Sequence, residues 1–267
     1  MTTRHSSTHP HRWWRSILPP LVVFAIAVAA WALAVPLFHI QPYLLPRPSE
    51  ILRSLAIDNR AELLASLGWT SLVSVIGFAI SAVAGVLIAM AMSASPVLRR
   101  AIYPYTIFFQ TVPIISIAPL LVIWIGAGMG SVIVCTVVVS IFPVIASTLV
   151  GLLSTDPALV DLFQLYGASR TAKFWKLRLP WALPYVFSGL RVAAGLAVIG
   201  TVVAEFFVGN IIQGAGLGVK IVAANRQGRT DLMFASVLLA CLLGLALFGA
   251  VNLMAWLTLR RWHASEQ

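Results

Sequence analysis

Charge is what this sequence has least of: charged residues fill 10% of its 267 positions, against roughly 25% in an ordinary soluble domain. With 60% hydrophobic residues and a mean hydropathy of +0.95, a water-soluble enzyme is excluded. Cysteine is scarce as well. Cys135 and Cys241 both lie inside apolar runs and read as small buried hydrophobes, not as a bridge or a metal pair. Histidine is confined to the N-terminal tail (His5, His9, His11) and to borders (His39, His263). No apolar run therefore holds the base that a membrane protease needs beside its nucleophile. The tail histidines have Ser, Thr and Pro neighbours and no carboxylate or thiol, which argues against a metal site. The phosphate-cradling P-loop is also missing, because the glycine-dense stretches Gly126 to Gly130 and Gly214 to Gly218 lack its lysine.

What the chain does have is basic charge and long uncharged runs. The net charge is +10, which in a soluble protein would point to nucleic acid. In an apolar chain it reads instead as the cation bias of short membrane loops. A bilayer core about 30 Å thick needs about 20 apolar residues in a helix. About 31 uncharged residues separate Arg15 from Arg47, about 36 separate Glu62 from Arg99, and about 28 separate Asp231 from Arg260, each enough for one span. The run of about 55 between Arg100 and Asp156 holds two, parted at Gly126 to Gly130. A further span fits between Pro184 and Glu205, interrupted by Arg191.

The chain thus reads as an all-α membrane protein, a polytopic bundle of six transmembrane helices. A tail over 1–15 precedes one transmembrane unit over 16–267, with spans expected near 17–38, 66–92, 104–125, 131–153, 184–205 and 232–258. The N-terminal apolar run is too long for a cleaved signal and reads as a retained first anchor. With both ends inside, the inner segments hold about twelve cations and the outer ones about six, which sets the expected orientation.

Gly77, Ser81, Gly85 and Ala89 recur every four residues on the second span, a ridge that allows close helix approach. Gln110-Thr111-Val112-Pro113 is a candidate polar, bent wall of a solute path, because a freed carbonyl at membrane depth is tolerated only inside protein or along a cavity. A packing kink with Gln110 bonded to a neighbouring helix explains the same residues. Arg191, roughly 13 Å into its span by helix rise, can bias an inner gate towards anions or snorkel to the interface. Glu205 can pair with a cation, brace an outer gate, or simply lie at the interface.

One inner loop, 154–180, is far longer than a connector needs. Thr155-Asp156-Pro157 offers an N-cap followed by Pro at the first helical position, Gly167 suits a left-handed stop, and Ser169 can cap a second short helix through Leu179. That helix is basic at Arg170, Lys173 and Lys176 and apolar at Phe174 and Leu177, and Pro180 and Pro184 open the next span. A DNA-binding role is excluded, since two helices tethered between spans cannot enter a major groove.

The spacing Asp161-Leu162-Phe163, three residues, Gly167, nine residues, Leu177-Arg178-Leu179-Pro180 resembles the "EAA" loop of bacterial ABC importer permeases. Asp161 stands for the Glu of that pattern, Leu162 and Phe163 for its two Ala, and Leu177 for its Ile. Gly167-Ala168-Ser169-Arg170, Ala182-Leu183-Pro184-Tyr185 and Gly189-Leu190-Arg191 are also similar to that family. Leu45-Pro46-Arg47-Pro48-Ser49-Glu50-Ile51, Val203-Ala204-Glu205 and Arg229-Thr230-Asp231-Leu232 resemble its nitrate, sulfonate and taurine branch.

The resemblance implies a type I ABC importer fold. Two permease subunits would sit on two cytoplasmic ATPase subunits, with loop 154–180 as the coupling helix and a periplasmic solute-binding protein on the other side. ATP and Mg would be bound by the ATPase chain, so this subunit would need no cofactor and no metal. The implied coupling residues are Asp161, Gly167, Ala168, Ser169, Arg170, Leu177, Leu179 and Pro180. The solute would be a small anion such as a sulfonate, taurine or nitrate, with a pyrimidine vitamin precursor as the alternative. A secondary transporter or channel working without ATP is the rival reading. Against it stands the lack of mid-membrane acids or bases other than Arg191.

Overall fold

In hydrocarbon a backbone N–H or C=O must find its partner within its own segment, and the elements of this chain are helical. The structure, a computed structural model, describes residues 12–208 and 216–260, with side chains from residue 18. His5, His9, His11, Gly214, Arg261 and His263 lie outside the described residues. The helices are α1 (Arg12–Leu37), α2 (Pro48–Arg53), α3 (Arg60–Ala94), α4 (Pro96–Thr111), α5 (Ile114–Ile125), α6 (Met129–Leu153), α7 (Pro157–Leu165), α8 (Arg170–Lys173), α9 (Leu179–Val208), α10 (Leu217–Arg226) and α11 (Thr230–Leu259). Five elements are long and apolar enough to cross a bilayer, and the bent pair α4–α5 makes a sixth.

The core is a three-helix contact of α3, α6 and α9, and small residues set its geometry. Gly77 lies on Thr136, Ser81 on Ser140 and Gly85 on Val144. Four residues along α3 correspond to four along α6, so the two helices run parallel. A Cβ on Gly77 would overlap the Thr136 side chain, and one on Gly85 would sit 2.8 Å from Val144 Cβ. Ala89 is fully buried on the same face. On α9 the order reverses. Tyr185 packs on Gly151, Gly189 on the Pro143 carbonyl and Gly200 on Thr136, so α9 is antiparallel to both.

These directions fix the ends of the bundle. At the starting end of α3, Ile51, Leu63, Leu217, Ala224, Leu232, Ala235 and Leu239 form one cluster that joins α10 and the start of α11. Trp31, near the end of α1, packs there against Phe234 at 6.0 Å between ring centroids. At the opposite end, Ala89 and Met92 of α3 meet Ile145 and Leu149 of α6. The start of α1, the end of α11 and the α7–α8 loop therefore share this second end, called here the loop face.

Two sequence expectations change. The span expected over 104–125, with a bend at Gln110–Pro113, is broken into two helices, α4 and α5, that meet at 104°. Pro113 has no N–H to continue the ladder and disfavours helical geometry at the residue before it, and Val112 is extended at φ −76°, ψ 124°. The expected break between the loop's second helix and the next span is absent. Residues Arg170–Val208 form one element of 39 residues, about 58 Å long by helix rise, with a π turn at Phe174–Arg178. Pro180 follows the π turn directly, and the altered hydrogen-bond register there accommodates its ring and missing N–H. The rod is far longer than a bilayer is thick, so it projects from the loop face.

Large apolar side chains of α1 and α11, among them Phe24, Leu33, Leu245 and Leu253, are exposed. Such a surface is untenable in water and ordinary against lipid. Cys135 is buried as expected, whereas Cys241 is exposed on this lipid-facing surface. Sequence alone cannot separate the two settings, since both are apolar.

Candidate functional site

Local capping builds the loop at the end of the bundle. Asp156 Oδ1 accepts the Ala158 N–H at 2.9 Å and Pro157 occupies the first helical position, which starts α7. Gly167 ends it at φ +70°, a left-handed conformation that side-chain-bearing residues disfavour. The Ala168 N–H reaches back to the Phe163 carbonyl at 2.9 Å. Ser169 Oγ then accepts the Ala172 N–H at 3.1 Å and starts α8. Lys173 Nζ donates to Gln164 Oε1 at 3.3 Å and ties the two helices together.

Asp161, Gly167, Ser169 and Arg170 are exposed, Ala168, Leu179 and Pro180 half-buried, and Leu177 buried. At the turn, Leu165 and Tyr166 are 86% and 84% exposed. The result is an apolar tip flanked by Arg170 and Lys173, held on a helix that runs unbroken into the bundle.

A second feature lies in mid-bundle. The α4–α5 break opens a cavity of about 430 Å³ lined by Phe109, Gln110, Val112, Ile114, Ile117, Val138, Val139, Phe142, Pro143 and Leu196. Val138 to Pro143 are the middle of α6, and Leu196 lies near the middle of α9. Gln110 is about 15 Å along α4 from Arg100 by helix rise, half the thickness of a hydrocarbon core. Phe109 and Phe142 stack nearly parallel, at 5.7 Å and 6°. Of the expected polar wall, Gln110 lines the cavity, Thr111 turns its hydroxyl back to the Phe108 carbonyl at 2.7 Å, and Pro113 caps α5. Arg191 is not among the lining residues. It is half-buried, and its Nε has no partner among the described residues.

Of the three roles the sequence left open for Glu205, the ion pair is not found: no cation pairs with it among the described residues. Its carboxylate is 1% exposed and accepts the Thr70 hydroxyl at 2.9 Å and the Gly218 N–H at 2.8 Å. Thr70 Oγ1 also accepts the Leu217 N–H at 2.9 Å, which brings the first turn of α10 onto α3 and α9. Gly216 and Gly218 lie against the carboxylate, and a Cβ on Gly218 would sit 2.7 Å from Glu205 Cβ. One helical step deeper, Ser74 donates to Thr201 Oγ1 at 3.0 Å, and Thr201 and Thr136 share a bond of 2.8 Å. Lys220 of α10 pairs with Glu62 of α3.

Sequence reading passed over this hydroxyl ladder. The signal was there: Thr70 and Ser74 lie seven and three residues before Gly77, on the same helix face as the ridge.

Among the described residues no cluster of His, Cys, Asp or Glu can hold a metal. What the site offers is a half-open cavity beside α6, a brace at one end of the bundle, and a capped loop at the other.

Comparison with known proteins agrees with that arrangement. The family model "Binding-protein-dependent transport system inner membrane component" matches residues 81–262. A probable ABC transporter permease protein of Haemophilus influenzae is 34% identical over 237 residues, covering 88% of this chain and 94% of its own. The formylaminopyrimidine transport permease protein ThiX of Halalkalibacterium halodurans is 33% identical, covering 88% and 92%. The taurine transport system permease protein TauC of Escherichia coli is 28% identical, covering 98% and 97%. A crystal structure of an amino acid ABC transporter shares the fold with a TM-score of 0.57 at 14% identity, covering 77% of this chain and 96% of that one.

Proposed function

The chain belongs to the family of binding-protein-dependent transport system inner membrane components, and we propose that it forms the translocation path of its importer as one of two permease copies. It is the multi-pass permease subunit of an ABC importer, not itself catalytic, and such a system includes an ATPase and a solute-binding protein. In our reading the loop face is cytoplasmic, so that both chain ends lie inside. The ATPase receives the α7–α8 tip, and the binding protein meets the end that carries α2 and α10.

The observation that carries this reading is the loop itself. Leu165 and Tyr166 stand exposed at the turn, joined through residues 167–169 to an element continuous with α9. An apolar tip of that kind suits a groove on a partner. Displacement of the tip would be passed through the turn to α8 and along α9 into the bundle, because α8 and α9 form one element.

For the solute, the sequence resemblance favours a small sulfonate, taurine or nitrate anion. A pyrimidine solute is the second reading, favoured by the relative named for formylaminopyrimidine at 33% identity against 28% for the taurine permease.

The test is reconstitution of the complete transporter in vesicles with labelled solute. Uptake that requires ATP and survives dissipation of ion gradients supports the importer reading. Uptake driven by an ion gradient without ATP would establish the rival secondary transporter.

A further inference from the structure

Among the described residues Glu205 is the one charged side chain that is fully buried, and no cation stands against it. Burying a carboxyl group without a counter-charge is costly, and the cost is offset only where its oxygens are hydrogen-bonded. Here the donors come from two other helices. Thr70 of α3 donates at 2.9 Å and the Gly218 N–H of α10 at 2.8 Å.

The second of these bonds serves as a helix cap. Gly216 is the N-cap of α10 and has no side chain to accept an N–H, so the first turn is left with free donors. Glu205 accepts the one on Gly218, and Thr70 accepts the one on Leu217. A carboxyl group at this position also meets the positive end of the helix dipole. Room for it exists because no side chain stands at the N-cap: a Cβ on Gly216 would overlap the carboxyl group. α10 therefore borrows its cap from α3 and α9.

The two helices hold α10 unequally. α3 and its N-cap bind it from end to end, through Thr70 on Leu217, Glu62 on Lys220, and Asn59 on Arg229 just past its last turn. From α9 there is a single polar contact among the described residues, the Glu205 carboxyl group. α9 is also the helix that forms one element with α8 of the docking loop. At 2.8 and 2.9 Å the bonds of Glu205 to α10 and α3 have little slack. A shift of α9 against α3 by about 1–2 Å, the scale of helix shifts in switching proteins, takes them beyond hydrogen-bond reach.

We propose that Glu205 is the positioning residue through which α9 sets the placement of α10, so that the surface α10 presents to the solute-binding protein follows the state of the ATPase. This rests on the importer reading and adds the residue that links its two ends.

The test is hydrogen–deuterium exchange over Leu217–Arg226 in the complete transporter in lipid nanodiscs, nucleotide-free and trapped with ATP and vanadate. In the wild type, exchange is expected to differ about tenfold between the two states, the scale of one broken hydrogen bond, and affinity for the binding protein to change with it. Glu205→Leu is expected to exchange fast in both states, with binding-protein affinity no longer dependent on nucleotide. Glu205→Gln, whose amide oxygen still accepts the Gly218 N–H, is expected to restore both differences. A brace with only a structural role would lower the thermal midpoint of Glu205→Leu but leave wild-type exchange identical in the two states, and that result overturns the proposal. So does a nucleotide dependence that survives in Glu205→Leu. The wild-type comparison decides the matter even where Glu205→Leu does not assemble. A purified complex without a vanadate-sensitive ATPase would mean that the importer reading itself is wrong. An ATPase-bearing complex with invariant α10 exchange removes this inference alone.

Discussion

The Thr70 hydroxyl donates to the Glu205 carboxylate at 2.9 Å, joining α3 to α9 across 135 positions of sequence. The same hydroxyl accepts from Leu217, so the two side chains together hold the first turn of α10. Thr70→Val leaves a carboxylate short of a donor and a backbone N–H short of an acceptor. A loss of about 1–3 kcal/mol is expected, read as a lower midpoint of thermal unfolding in detergent. Thr70→Ser keeps the hydroxyl and is expected to stay near wild type. A loss for Ser with Val near wild type would mean that Thr70 acts through its methyl group.

Close packing of α3 on α6 makes a steric prediction. At Gly85 a Cβ already meets Val144 at 2.8 Å, so Gly85→Leu is expected to destabilise by about 1–3 kcal/mol or more through overpacking. Gly249 has open space around it, and Gly249→Leu is expected to be tolerated. Monodispersity on size-exclusion chromatography and thermal midpoints of the two variants provide the check.

Turn chemistry at the loop gives a functional prediction. Gly167 sits at φ +70°, and a β-branched residue there is strained by roughly 1–2 kcal/mol. Loss of the Ser169 cap costs about 1 kcal/mol. Gly167→Val and Ser169→Ala are therefore expected to insert and assemble normally while solute moved per ATP hydrolysed falls, with Gly167→Val the more severe. An unchanged ratio in both would separate loop geometry from coupling.

Much of the fold was legible because length, charge spacing and backbone cost leave few options in a membrane. Asp156, Gly167 and Ser169 announced the loop through residues whose preferences are local. The bend at Val112–Pro113 was legible as a kink, but its 104° angle depends on what α6 and α9 leave open beside it. Glu205 was left open for a related reason. From sequence a lone acid at a span end looks like an interface residue, half of an ion pair or a brace of an outer gate. Its actual partners are a hydroxyl 135 positions away and a backbone amide in the next helix, and neither leaves a mark in local composition. The continuous element from Arg170 to Val208 was hidden by Pro180, which reads as a break but follows a π turn that accommodates it.

The central claim is that the α7–α8 tip faces the ATPase and receives its motion. A photo-reactive amino acid at Tyr166, 84% exposed at the turn, tests this in the assembled transporter. Irradiation should join this chain to the ATPase subunit, with a yield that changes when ATP is added. Crosslinks to the solute-binding protein alone, or to no other chain, would contradict the account.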